Sequence, residues 1–167
     1  MAARFVSVKD DDQIEALAAL ADEIWNQYWP GIITKEQTDE MVARYQSPAV
    51  IADQIGTQGF EYYLINDDDK SVGYFSLEPI DDEKVLHAKL YVSQACRGQG
   101  FSSDTFTYLE GLCEGRKLDA IWLAVNKNSR RAIDIYRIRS FATERMETRE
   151  IGADFDFDDF MTKKHIW

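Results

Sequence analysis

KVLHAKLYVSQACRGQGFSS, from Lys84 to Ser103, is the stretch on which the fold turns. Its first half, KVLHAKLYV, alternates: Leu86, Ala88, Leu90 and Val92 fall on one face, His87, Lys89 and Tyr91 on the other. That is the period of a β-strand. Its second half, RGQGFSS (Arg97–Ser103), breaks the period and leads into a helix from about Gly100 to Gly115. Phe101, Thr105, Tyr108, Leu109 and Leu112 line one face of that helix. Glycines at the junction let the backbone turn tightly, so several N–H groups converge on one spot. The helix N-terminus adds a partial positive charge there and Arg97 a full one, and the combination suits a pyrophosphate. Glycines before a helix also serve as plain turns, so this feature alone is not specific.

Other phosphate motifs do not fit. A Walker loop needs Gly-Lys-Ser or Gly-Lys-Thr, and no lysine follows Gly100. A dinucleotide fingerprint needs glycine or alanine three residues after Gly100, where Ser103 stands, and a parallel βαβ unit opening the domain.

Upstream, Phe5–Val8 reads as an edge strand. Asp12 and Glu15 have capping-box spacing, and Ile14, Leu17, Leu20, Ile24, Trp25 and Tyr28 follow helical spacing up to Pro30-Gly31. Thr34 with Gln37 repeats the capping signal for a helix carrying Met41 and Tyr45. Ser47-Pro48 starts a third, closed by Gly56 and Gly59. FEYYLIN (60–66) and SVGYFSLEP (71–79) then form a predicted hairpin about the turn Asp67–Lys70, with another turn at Asp81–Glu83 before the strand of the opening stretch.

Downstream, AIWLAVN (120–126) reads as a buried strand. Asn128 follows it, and Ser129 caps a helix with Ala132, Ile133, Tyr136 and Ile138. A strand starts at Phe141, and the tail ADFDFDDFMTKKHIW makes the last one. The order is strand, helices, three strands, helix, strand, helix, two strands. It predicts an α/β fold with a mixed, mostly antiparallel central sheet flanked by helices.

The 167 residues suit a single domain spanning 1–167. Hydrophobic residues at 45% and charged residues at 29% describe a globular chain rather than a disordered one. The net charge of −11 argues against nucleic acid and against an anionic membrane surface as partners. The acid excess serves solubility or attracts a cationic substrate; the first is the plainer reading. Cys96 and Cys113 form no CxxC pair, and with two histidines no zinc cluster can be assembled, so no metal is expected. MAARFVSVKDDDQ has no apolar core of a signal peptide, and the longest apolar run is Ala16–Ala21, so a cytoplasmic location is the expectation.

Taken together, RGQGFS and KNSRRAIDIY resemble the GNAT acetyltransferase superfamily over about Phe60–Lys164. Asn128, Ala132 at plus four and Tyr136 at plus eight follow its N-x-x-A-x-x-x-Y layout. The resemblance implies a sheet whose central strands splay, with acetyl-CoA as co-substrate between them. It places the pantetheine arm and thioester beside Leu90, Tyr91 and Val92, and the pyrophosphate in the turn of Arg97, Gly98, Gln99, Gly100, Phe101 and Ser102. It makes Asn128 a cofactor contact and Tyr136 the acid that protonates the leaving thiolate. It divides the chain into an acceptor-side helical wall (about 13–58) and a cofactor-binding core (about 60–164).

This sequence departs from the family pattern at three points. Framed on Gly98 and Gly100, the phosphate motif has Ala95 in its first place, where glutamine or arginine is usual; framed from Arg97, Gly100 fits the fourth place, but Ser102 takes the sixth, where glycine or alanine is usual. Ser140 replaces the usual glycine after the tyrosine helix. Leu86 stands where some relatives carry a carboxylate base. His87 faces the other side, and Glu61, Glu78 and Asp159 have no spacing argument, so a water chain is a further route for the proton.

The implied activity is N-acetyltransfer to a primary amine of a polyamine-like small molecule or a peptide. The alternative is an acyl-CoA-binding sensor or interaction module with weak chemistry. Trp25, Tyr28, Trp29 and Tyr45 are core residues or line a site for a cation. Relatives are often homodimers, and that state is carried over as an expectation.

Overall fold

The computed structural model describes residues 3–28, 33–80, 85–126, 137–138, 142–150 and 156–165. The elements are β1 (Arg4–Ser7), α1 (Asp11–Tyr28), α2 (Lys35–Tyr45), α3 (Pro48–Thr57), β2 (Glu61–Asp67), β3 (Lys70–Ile80), β4 (Val85–Val92), a 3-10 turn (Gln94–Cys96), α4 (Phe101–Gly115), β5 (Ala120–Asn126), β6 (Ala142–Glu150) and β7 (Asp156–His165). The class is α/β with a mixed sheet. Among the described residues β1–β2, β2–β3, β5–β7 and β6–β7 pair antiparallel, and β4–β5 pairs parallel. The expected helix at Ser129 lies outside the described residues apart from 137–138, where Ile138 is 82% exposed.

The chain separates into two compact units. One is Met1–Leu77 with Leu90–Thr105; the other is Glu78–Lys89 with Phe106–Trp167. In the first, strands run in the order β1-β2-β3. Helix α1 packs on α2 and α3. Its stripe of Ile14, Leu17, Leu20, Ile24 and Trp25 is buried throughout, as the helical spacing predicts. β2 and β3 add Ile65, Tyr74, Phe75 and Leu77, and Tyr63 stacks on Phe75 with ring centroids 4.9 Å apart.

Three helix starts were legible, and one is shifted. Thr34 and Gln37 form a reciprocal capping box, and Ser47 caps α3 with Pro48 in its first turn. At α1 the box is not Asp12–Glu15 but Asp10–Gln13. The Gln13 N–H donates to Asp10 Oδ1 at 2.8 Å, and Gln13 Oε1 accepts from the N–H groups of Lys9 and Asp10. Both pairs have the right spacing. The earlier one forms, and the helix begins at Asp11.

In the second unit the order is β4-β5-β7-β6. The parallel ladder pairs Val85–Ala88 with Ala120–Leu123, while β5 pairs with β7 along its whole length, to Asn126↔Asp159. The buried face of α4 is rotated from the expected one. Phe101, Thr105, Phe106, Leu109 and Cys113 are buried, and Tyr108 and Leu112 sit half-buried at its rim.

Helix α4 ends in a Schellman motif without glycine at its left-handed position. The Leu118 N–H donates to Cys113 O at 2.9 Å and the Lys117 N–H to Glu114 O at 3.1 Å, with Lys117 at φ 57°. A non-glycine residue in that conformation is strained by about 1 kcal/mol. Lys117→Gly is therefore expected to stabilise the protein by about 1 kcal/mol, read as a higher urea midpoint at unchanged slope.

Candidate functional site

The site builds from the end of β4 in the first unit. The Ser93 N–H donates to Val72 O at 2.8 Å, which ties the strand end to β3. A Cβ at Gly73 would overlap the Tyr91 carbonyl oxygen and come within 3.1 Å of the Val92 Cα, so β3 and β4 approach here more closely than a side chain allows. Tyr91 is half-buried and its ring stacks on Tyr74, centroids 4.9 Å apart, and leans on Trp25 at 5.8 Å. Leu90 is half-buried and Val92 buried.

Beyond Val92 the chain makes one 3-10 turn. Gln27 of α1 accepts from the Gln94 N–H at 2.9 Å, and the Cys96 N–H donates to Ser93 O at 2.9 Å. Arg97 Nε donates to Val92 O at 3.3 Å, which folds the exposed guanidinium back over the turn. Gly98 and Gly100 have φ of 79° and 90°. Nothing lies within 4 Å of a Cβ built at Gly100, so that residue is needed for its backbone angle and not for space. Phe101 is buried, its carbonyl accepts the Thr105 hydroxyl at 2.7 Å, and this anchors the first turn of α4.

Among the described residues, the N–H groups of Gly98, Gln99, Gly100, Phe101 and Ser102 have no acceptor within the chain. They form a set of backbone donors at a helix N-terminus, with Arg97 beside them. An anion is the ligand that arrangement suits. Ser102 is half-buried in the first turn of the helix. Every cofactor residue expected from Leu90 to Ser102 therefore lies on one continuous segment of the first unit. Asn128 and Tyr136 lie outside the described residues, as do Trp29 and Ser140.

Of the aromatic residues considered for a cation, Trp25 is core: it is 9% exposed and its indole N–H donates to the Tyr74 hydroxyl at 2.9 Å. Tyr45 is 37% exposed, and Arg44 of the same chain sits 5.6 Å from its ring centroid. Among the carboxylates weighed as bases, Glu61 accepts the Tyr63 hydroxyl at 3.2 Å. Leu86 is 4% exposed, so that position is apolar core. In the second unit His87 Nδ1 lies 3.7 Å from Glu78 Oε2, on β4 and β3 respectively. The sequence reading missed Gly73, Tyr74 and Gln27. A glycine inside a strand pattern was the available signal for the first. The other two act through partners far along the chain.

Burial pushes the Cys113 thiol up to about 11, with Glu110 and Glu114 adding to the effect and Arg116 opposing it. It is no nucleophile. Among the described residues no group of three or more His, Cys, Asp or Glu is placed to hold a metal ion, and no helix is long and apolar enough to cross a membrane.

The sequence profile of the acetyltransferase (GNAT) family matches residues 18–141. The chain belongs to that family. No curated protein sequence matches it. Its fold is shared with the PaiA N-acetyltransferase of Thermoplasma acidophilum, solved in complex with coenzyme A, at TM-score 0.76 and 16% identity over 99% of both chains. It is also shared with yncA of Salmonella typhimurium, solved with its cofactor acetyl-CoA, at 0.67 and 14% identity over 99% of this chain and 95% of that one. The spermidine/spermine N-acetyltransferase SpeG of Vibrio cholerae matches at 0.70 and 15% identity, over 99% and 93%.

Gly100→Ala would place a side chain at φ 90° and distort the donor set. It is expected to cost about 1–2 kcal/mol of stability and to weaken anion binding, both read by thermal melts with and without ADP. Cys113 is expected to resist iodoacetamide in the folded protein at pH 8, where on the order of one thiol in a thousand is ionised. Mass spectrometry of the alkylated peptide would read it.

Proposed function

We propose that this protein is an acetyl-CoA-dependent N-acetyltransferase that acetylates a primary amine by direct attack. The observation that carries the reading is the run of unpartnered N–H groups from Gly98 to Ser102, one 3-10 turn beyond β4, in a chain of the GNAT family. Those groups and Arg97 would hold the pyrophosphate of acetyl-CoA, with Leu90, Tyr91 and Val92 along the pantetheine arm and Asn128 as a further contact. No metal takes part. All 167 residues act as one acetyltransferase domain.

In the reaction a neutral amine attacks the thioester carbonyl. A backbone N–H near Val92 polarises the carbonyl oxygen as charge develops on it. The C–S bond breaks, and Tyr136 gives its proton to the departing sulfur. The attacking nitrogen loses its proton to a base or a water chain. Leu86 cannot take it, because that position is apolar and buried.

The acceptor is a primary amine of a polyamine-like small molecule or a peptide. The net charge of −11 supports a cationic acceptor, since the summed field concentrates cations near the surface. The fold shared with a spermidine/spermine N-acetyltransferase supports the same class. A cytoplasmic homodimer is part of the proposal. The buried leucine at position 86 favours a second reading, an acyl-CoA-binding sensor with weak chemistry.

Calorimetry with acetyl-CoA, followed by thiol release with spermidine, lysine or a basic peptide, tests the first reading against the second. Tyr136→Phe is expected to lower kcat about 100-fold while leaving the acetyl-CoA Kd within about twofold. Arg97→Ala is expected to weaken acetyl-CoA about tenfold. Tight binding without amine-dependent thiol release would support the sensor. No binding would sink both readings.

A further inference from the structure

Beneath Tyr91 lies a directed chain of hydrogen bonds within the first unit. The Trp25 indole can only donate, and it donates to the Tyr74 oxygen at 2.9 Å. The Tyr74 hydroxyl then donates its own proton to Gln46 Oε1 at 2.8 Å, and Gln46 Nε2 donates to Tyr45 O at 2.6 Å. Each donor and acceptor is thereby assigned without ambiguity. The chain ties α1, the C-terminal end of α2 and β3 to one point. Trp25 is 9%, Gln46 8% and Tyr74 0% exposed, so water does not compete for these bonds. Burial keeps the Tyr74 phenol protonated well above its ordinary range, with neighbouring Tyr91 adding to the effect.

The two rings joined by this chain are the two that Tyr91 rests on. On the neighbouring residue of β3, Gly73 admits the Tyr91 carbonyl where any side chain would displace it. The Ser93 N–H to Val72 O bond closes the contact on the far side. The side chain of Tyr91, its carbonyl and the next amide but one are thus all set by three consecutive residues, Val72, Gly73 and Tyr74. We propose that Tyr74 is a positioning residue: its hydroxyl locks the Trp25 and Tyr74 rings, and through them the β4 backbone at Tyr91–Val92 that receives the pantetheine arm and the thioester carbonyl. The proposal rests on the acetyl-CoA reading above. Tyr74 touches no substrate and acts through Tyr91.

Tyr74→Phe removes the acceptor of Trp25 and the donor to Gln46 while keeping the ring. Gly73→Ala displaces the Tyr91 carbonyl while keeping the Trp25, Tyr74 and Gln46 side chains, so it remains informative if the first variant folds poorly. Both are titrated calorimetrically with acetyl-CoA and with ADP, which carries the pyrophosphate but no pantetheine arm. Acetyl-CoA is expected to weaken about tenfold in each variant while ADP stays within about twofold. Equal weakening of both probes, or no change in either, would overturn the proposal, since a merely structural role does not distinguish strand from loop. Wild-type protein that binds neither probe would instead overturn the acetyl-CoA reading. The amide resonances of Tyr91, Val92 and Ser93 then decide the positioning: it stands if they shift selectively in Tyr74→Phe and falls if they do not.

Discussion

The approach of β3 to β4 at Gly73 and Tyr91 is the constraint on which the candidate site depends. Two strands can come this close only where one lacks a Cβ. Once they do, Tyr91 lies over the Tyr74 and Trp25 rings, and the Ser93 amide reaches Val72 O. The turn that follows starts from that anchored amide, with Gln27 of α1 accepting the next N–H, that of Gln94. The turn that carries Gly98–Ser102 begins five residues beyond this anchored amide.

On the proposed reading, an acidic chain must bind an anion against its own field. With a net charge of −11, side-chain cations are scarce and the long-range potential repels phosphate. The backbone supplies the local solution. Partial charges at a helix end fall off within a turn, so they act on a bound anion at contact distance and are nearly independent of the net charge. The donors of Gly98, Gln99 and Gly100 are in exposed residues, where water can serve them until a ligand arrives. Arg97 contributes one full charge on an arm held back to Val92 O.

Much of the scaffold was legible because it is written in local rules. Thr34–Gln37 and Ser47-Pro48 mark helix starts whatever surrounds them. The alternation of Val85–Val92 and the period of α1 locate a strand and a helix because burial of one face is their main source of stability. Where two local solutions compete, spacing does not choose between them. Asp10–Gln13 outcompetes Asp12–Glu15 as the cap of α1. Helix α4 ends at Gly115 as its sequence suggests, and the left-handed residue that closes it is Lys117, followed by the buried Leu118. The buried face of α4 includes Phe106 and Cys113, with Tyr108 and Leu112 half-buried at its rim.

By itself the sequence determined the order of elements, the glycine turn after β4 and the family, since each rests on residues close together in the chain. It left open whether Trp25 served a cation or the core, because its partner Tyr74 lies 49 residues away. It also could not reveal that Gly73 makes room for a carbonyl on β4, or that the Tyr74 hydroxyl links α1 to the end of α2 beneath Tyr91. Those are contacts between segments distant in sequence. No local period or spacing encodes them, and they exist only once the strands have paired and α1 has packed.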